Sequence, residues 1–463
     1  MEQERELILN GNIRKLLFKF SVPAAIGLIV SALYNAVDTL YIGHALGPLA
    51  IAGLAFVLPI QILMYAVGQM IGTGASSIIA RSLGKGDKEK AIITAGNGII
   101  LTCIISILFM IPCYFLIDRI IHFFKASPEV FKYTKDFLSV ILIGFIFLSL
   151  SVVGNNLIRA EGKPKAAMYP LIFGAVLNVI LAPIFIFVFR MGVRGAATAT
   201  VISQFLSVIY IFVYLNYSKS IFKTKIEMFK VKLPVIKDIL KIGFPSFLVS
   251  MVDCVIFVLF GRTIMQYGSD LYIAIMGISL RVMDITIMPI VGITQGFSTI
   301  VGFNYGAKNY KRVKKVLRES IIWTTVVAGF AFIIIFGFPS LILRIFSSNK
   351  EMIAIGIMPV RILLAFFITI GFQYIGGNFF LSIGKPLPAL FLNITRQLII
   401  LIPAILILPI FFGLNGIWFS LPLCDLLNTT LTSVLVLNEL KLINRLLLKE
   451  VPAVTIPSLP EKY

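Results

Sequence analysis

From Phe20 to Leu437 the sequence is a succession of apolar runs, each long enough to cross a lipid bilayer, with only short polar breaks between them. A spanning helix needs roughly 20 apolar residues. Hydrocarbon leaves no water for backbone N–H and C=O groups, so a span must be a helix or part of a closed barrel. Barrel strands would alternate about every second residue, and these runs are continuous. They predict an all-α polytopic membrane protein with twelve transmembrane helices: 14–43, 49–80, 91–117, 133–159, 167–189, 195–216, 237–267, 271–302, 313–345, 353–383, 388–411 and 415–441. Only 13% of the 463 residues are charged, against about 25% in soluble domains. The first run lacks a small-residue cleavage site and carries an aspartate, so it reads as a span and not as a cleaved signal.

The net charge of +20 invites a nucleic-acid reading, but its distribution argues against one. With the N-terminus in the cytoplasm, 29 of the 41 Lys and Arg fall in the tails and even-numbered loops. Nine fall in the odd-numbered loops, residues near a span end being counted with the adjoining loop, and three (Arg281, Arg361, Arg396) lie well inside spans. That asymmetry follows the positive-inside rule and puts both termini in the cytoplasm of a cell-membrane protein. The longest connection, Tyr217 to Lys241, carries seven lysines and reads as a cytoplasmic linker facing anionic lipid. The four cysteines all fall inside spans without metal spacing, as small apolar helix residues do. Two histidines near span ends and no G-x-x-x-x-G-K-[ST] loop speak against an enzyme or an ATP-driven pump. No cofactor is expected.

The chain repeats itself. Ser21-Val-Pro23 answers Gly243-Phe-Pro245, Gly84 to Lys90 answers Gly306 to Arg312, and Gly162-Lys-Pro164 answers Gly384-Lys-Pro386, each 222 residues apart. Gly192-Val-Arg-Gly195 answers Gly413-Leu-Asn-Gly416 at 221. Six spans per repeat return the chain to its starting side. The halves are therefore expected to be six-helix lobes, 1–216 and 237–463 around a 217–236 linker, related by a pseudo-two-fold axis along the membrane normal. Two such lobes meet at a central cavity that rocking opens alternately to each side. A receptor or scaffold would need an extramembrane domain, and no loop or tail is long enough for one.

Four acidic residues lie well inside the spans: Asp38, Asp253, Asp284 and Asp425. An ionisable group there costs roughly 2.5–3.5 kcal/mol on insertion scales, so it faces a cavity, pairs or takes up a proton. Asp38 has no basic residue close in sequence, which suits proton or Na⁺ exchange. Asp284 follows Arg281 by three residues and is expected to pair with it. Asp253 is either a second cation site or the partner of Arg281, Arg361 or Arg396. Asp425 is expected to pair with Arg396. Asn155, Asn156, Asn178, Thr200, Ser203 and Gln204 offer oxygens to a hard cation or hydrogen bonds between helices. Pro23, fifteen residues before Asp38, permits a kink.

These residues resemble a known family. Asn35-Ala-Val-Asp38, Arg159-Ala-Glu-Gly-Lys-Pro164, Asn304-Tyr-Gly-Ala-Lys-Asn309, Arg396-Gln397 and Gly416-Ile-Trp418 with Pro422 and Asp425 are similar to the multidrug and toxic compound extrusion (MATE) transporters, in particular the DinF-like and MepA-like branch. The resemblance covers nearly the whole chain. It implies export of amphipathic organic cations in exchange for H⁺ or Na⁺. It also implies an N-lobe cation site with Asp38 as carboxylate, Asn155, Asn178 and Thr200 around it, and Pro23 as the bending point. The partners implied are small organic cations and membrane lipid, with the chain a monomer. In that branch Leu-Asn in the fifth span is followed by Asp-Pro; here Leu177-Asn178 leads to Ala182-Pro183. One carboxylate then stands where the pattern has two, which favours H⁺ over Na⁺. The alternative is a lipid or lipid-linked oligosaccharide flippase of the same architecture, which would need several arginines in its cavity.

Overall fold

The computed structural model describes residues 2–123, 128–218, 220–223, 228, 230–346 and 350–449. Parts of the lysine-rich connection and the expected C-terminal tail from 450 lie outside the described residues. The first half comprises α1 (Glu2–Asn10), α2 (Ile13–Leu46), α3 (Pro48–Lys85), α4 (Lys88–Phe115), α5 (Ile117–Phe123), α6 (Pro128–Ile143), α7 (Phe145–Ala160), α8 (Pro164–Pro183) and α9 (Gly192–Tyr217). The second comprises α10 (Leu233–Tyr267), α11 (Asp270–Gly306), α12 (Tyr310–Gly337), α13 (Pro339–Phe346), α14 (Lys350–Leu363), α15 (Ile370–Ser382), α16 (Pro386–Ile394), α17 (Ile402–Phe412) and α18 (Leu414–Lys449).

Among the described residues ten helical segments are long and apolar enough to cross a membrane. Two more spans are bent pairs, α6 with α7 at 51° and α14 with α15 at 41°. Both bends fall at the same place in the repeat, Gly144 and Phe366, 222 residues apart. The ninth predicted span, 313–345, is divided: α12 ends at Gly337 and α13 starts at Pro339. Proline suits the first turn of a new helix and disfavours helical backbone in the residue before it.

The repeat extends to local structure. α4 and α12 start 222 residues apart, and each is capped by the equivalent side chain. Asp87 accepts from the Lys90 backbone N–H at 2.9 Å, and Asn309 accepts from Arg312 at 3.3 Å. The turn before each cap needs one residue in the left-handed region: Gly86 (φ +89°) in the first half, Lys308 (φ +58°) in the second. A lysine there is strained where glycine is not.

The halves are joined along a seam of close backbone approaches. A Cβ added at Gly84 would lie 2.0 Å from the Phe303 carbonyl oxygen, and one at Gly306 would lie 2.0 Å from that of Arg81. Gly84 and Gly306 are repeat equivalents, and so are Arg81 and Phe303. The contact maps onto itself when the halves are exchanged, as a two-fold axis requires. The same exchange relates α3 on α10, where Gly243 lies against Met70, to α2 on α11, where Gly292 and Gly296 lie against Ala25 and Ser21. Small residues let helices approach in a setting where hydrophobicity alone cannot drive association. Among the described residues every such approach between the halves lies at one end of the molecule. There α1 crosses the seam. Arg5 donates to the Leu83 and Gly84 carbonyls at 3.1 and 2.9 Å, while the Ile8 carbonyl accepts from Asn304 and Arg312 of the second half at 3.4 and 3.2 Å.

Candidate ion site and central cavity

Away from the seam, α2 lies along α8. Gly27 meets Leu171, and further out the rings of Tyr41 and Phe187 meet edge to face at 6.4 Å. As first and fifth spans the two helices run in the same direction. Eleven residues along each from the Gly27–Leu171 contact stand Asp38 and Ala182. Asp38 is 9% exposed, Ala182 is fully buried, and Asp38 Oδ1 is buried without a hydrogen-bond partner. The position that would supply a second carboxylate therefore lies level with Asp38 and presents a methyl group.

Asn178 sits one helical turn before Ala182. Its Nδ2 donates to Thr200 Oγ1 at 3.0 Å, tying α8 to α9, and Thr200 in turn donates to the Ala196 carbonyl at 3.1 Å. Asn178 Oδ1 and Ser203 Oγ are buried and unpartnered, as Asp38 Oδ1 is. A buried polar atom without a partner costs about 1–3 kcal/mol. Asp38 on α2, Asn178 on α8 and Ser203 on α9 carry such atoms on helices that pack against one another. Beyond Pro183 the chain passes through a π-helical turn, Ile184–Val188, a distortion frequent at functional sites.

Asn155 stands apart from this group. Its amide donates to the Ala167 carbonyl near the start of α8, about 16 Å along the helix from Asn178 at 1.5 Å per residue. Pro23 lies within an unbroken α2, among the seam contacts of Phe20, Ser21 and Ala25 and fifteen residues before Asp38.

The second-half carboxylates differ. Asp425 is 4% exposed and accepts from Arg396 Nη2 at 3.2 Å and from Gln373 Nε2 at 3.4 Å. Asp253 accepts from Gln397 Nε2 at 2.7 Å; it makes no salt bridge with Arg281, Arg361 or Arg396 among the described residues. The guanidinium next in sequence to Gln397 opposes a cation there. The expected Arg281–Asp284 pair is not formed, and both side chains are exposed. Arg361 turns to the Phe336 carbonyl and ring.

Between the halves lies a cavity of about 410 Å³. Its wall contains repeat-equivalent pairs: Thr73 and Gln295, Ser76 and Ser298, Asn156 and Asn378, Arg159 and Leu381. It therefore sits on the pseudo-two-fold axis. Tyr65 and Tyr374 are its aromatic residues, amid amides and hydroxyls. Arg159 belongs to this wall, although its place at a span end put it among the loop charges by sequence. Its Nη1 donates to Gln295 across the seam and its Nη2 to Asn156 at 2.7 Å. Arg396 and Gln397, in the wall from the second half, occupy a π-helical stretch, Thr395–Leu401.

The MatE family profile matches residues 23–184 and 245–407, two segments that begin 222 residues apart. The chain belongs to the MatE family. Multidrug export protein MepA of Staphylococcus saprophyticus is 25% identical over 415 residues, covering 90% of this chain and 91% of that one. Its counterpart in Staphylococcus aureus is 26% identical, over 89% and 90%. These relatives place the chain in the MepA-like branch. A solved structure described as the outward-facing conformation of a multidrug resistance MATE transporter superposes with a TM-score of 0.89 at 25% identity, covering 94% of this chain and 98% of that one. The fold of two helical halves spanning a membrane is that of the MATE transporters.

Proposed function

We propose that this chain is a multidrug antiporter that exports small organic molecules in exchange for H⁺ taken up at Asp38. The observation that carries this reading is the buried, unpartnered oxygen of Asp38, with the methyl of Ala182 on the neighbouring helix and the unpartnered Asn178 oxygen one turn before it. A lone carboxylate can be neutralised by one proton. Na⁺ must replace its lost hydration with several oxygens and more negative charge, so H⁺ is the coupling ion favoured here and Na⁺ the runner-up. The names of the MepA relatives support drugs as the cargo.

Coupling has a physical route. α2 carries Asp38 toward one end and packs against the second half at the other, where Pro23 lies among the seam residues Phe20, Ser21 and Ala25. A change of charge at Asp38 that bends α2 at Pro23 alters the seam, and the lobes 1–216 and 237–463 rock about it. With both termini in the cytoplasm, as the lysine and arginine distribution favours, the sealed end faces inward and the cavity faces out. One chain supplies both walls of the cavity, which supports a monomer.

The test is dye efflux from proteoliposomes under a pH gradient and a Na⁺ gradient imposed separately. Efflux driven by the pH gradient is expected. A response to neither gradient would remove the antiport reading, and a response to Na⁺ alone would reassign the ion.

A further inference from the structure

Among the described residues the charged side chains in the cavity wall are Arg159 and Arg396, and no carboxylate lines it. Arg159 is buried, held by the neutral oxygens of Gln295 and Asn156, and among the described residues no carboxylate lies within ion-pair distance of it. Of the carboxylates behind the Arg396 side of the wall, Asp425 is engaged by Arg396 and Gln373 and Asp253 by Gln397, while Asp284 is exposed; none of them pairs with Arg159. Arg396 Nε has no partner. An uncompensated guanidinium inside a membrane protein is costly. Here it stands in the wall of a cavity large enough for a small organic molecule, where the missing countercharge can be brought in by a ligand.

We propose that the cavity takes its substrate by an anionic group, a carboxylate, sulfonate or phosphate on an amphipathic molecule, held between Arg159 and Arg396 with the wall amides as further donors. Arginine forks match such groups in two-point hydrogen bonds. This rests on the transporter reading above and departs from the organic-cation expectation of the sequence. The repeat isolates the determinant: the position equivalent to Arg159 is Leu381, on the same wall, so the charge is an addition to one half and not part of the shared frame.

The experiment uses the full-length chain in proteoliposomes under a pH gradient, with carboxyfluorescein as organic anion, ethidium as organic cation and a fluorescent phosphatidylglycerol as lipid-borne phosphate. Carboxyfluorescein is expected to be transported. Arg159→Gln is expected to reduce its transport at least about tenfold, the scale of a lost charged hydrogen bond, through KM, with Arg159→Lys retaining part of it. Asn378→Asp, which adds a carboxylate to the wall at the position equivalent to Asn156, is expected to reduce it similarly. The latter variant keeps the inference testable should Arg159→Gln fail to fold. Transport of the lipid alone, lost in Arg159→Gln, would support the same anionic recognition with the lipid as its source. Ethidium transport that survives Arg159→Gln and Asn378→Asp, with both anions immobile, would overturn the inference and leave the antiporter standing. Chloride competing with carboxyfluorescein while no organic anion crosses would also overturn it, since the arginines would then hold an inorganic ion. Immobility of all three probes under either gradient would instead count against the transporter reading.

Discussion

α2 and α10 answer each other in the repeat and carry opposite chemistry at one position. Asp38 on α2 keeps an unpartnered buried oxygen; at the equivalent place on α10 stands Phe260, 3% exposed, in the apolar core of the second half. The second half has its carboxylates elsewhere, and Asp425 is fixed by Arg396 and Gln373. A duplicated frame thus holds one buried carboxylate without a hydrogen-bond partner on Oδ1 and another held by a guanidinium and an amide. Asp38→Asn is expected to abolish gradient-driven efflux with normal protein levels and a melting temperature close to the parent. Efflux at the parental rate would break the comparison at its root. Asp425→Asn is expected to do the reverse in kind, lowering stability by roughly 3–5 kcal/mol because it strands Arg396. Thermal unfolding in detergent measures this; a melting temperature unchanged from the parent would show that the pair is not a fixed element.

The two faces of the ion site itself give a third contrast. Asp38 is level with Ala182, and the resemblance to the MepA-like branch sets a carboxylate at that position. Ala182→Asp restores the second charge. At an effective dielectric near 20, a charge about 4 Å from a cation contributes on the order of 4 kcal/mol, so even partial realisation is visible. The expected outcome is efflux stimulated on the order of tenfold by an inward Na⁺ gradient that leaves the parent unaffected. If the variant stays indifferent to Na⁺, the missing carboxylate is not what sets the ion.

Much of this was legible in the sequence because it is written in spacing. Apolar run length predicts the spans, and the constant offset of 222 predicts paired halves whose caps, bends and seam glycines correspond. The prediction of twelve spans fails only in detail, at Gly144, at Phe366 and at Pro339, where a bend or break needs no large change in hydropathy. The site was less legible. Asn178 and Thr200 meet as the resemblance groups them, but Asn155 bonds about 16 Å along α8 from Asn178 at 1.5 Å per residue, since a motif gives residue types and not depth in the membrane. Arg159 was counted with the loops because it ends its span; only the meeting of the halves shows that it enters the cavity. Its one sequence signal is that it has no charged counterpart in the second repeat, where Leu381 stands.

The smallest effect separates the halves at their membrane edge, where Lys163 and Lys385 are repeat equivalents. Lys385 meets Glu439 at 2.7 Å, on α18, whereas Lys163 meets Glu161 at 3.1 Å, two residues away. Glu161 is fully buried and also accepts from Ser220 Oγ at 2.9 Å and the Ile221 N–H at 2.8 Å, pinning the chain that leaves the first half. In the second half the equivalent residue is Ile383, also buried. Burial raises the Glu161 carboxyl above the ordinary glutamate value, against the smaller opposing pull of Lys163 and the three hydrogen bonds. A carboxyl raised in the native state binds its proton more tightly folded than unfolded. Its contribution is therefore fully present below the unfolded value and lost as pH rises through the folded one. Glu161→Gln is expected to remove this decline, so that the melting temperatures of parent and variant converge or cross as pH rises through that window. A parallel pair of curves would mean that Glu161 is charged throughout, and that Lys163 and the linker hold it as firmly as Glu439 is held by Lys385.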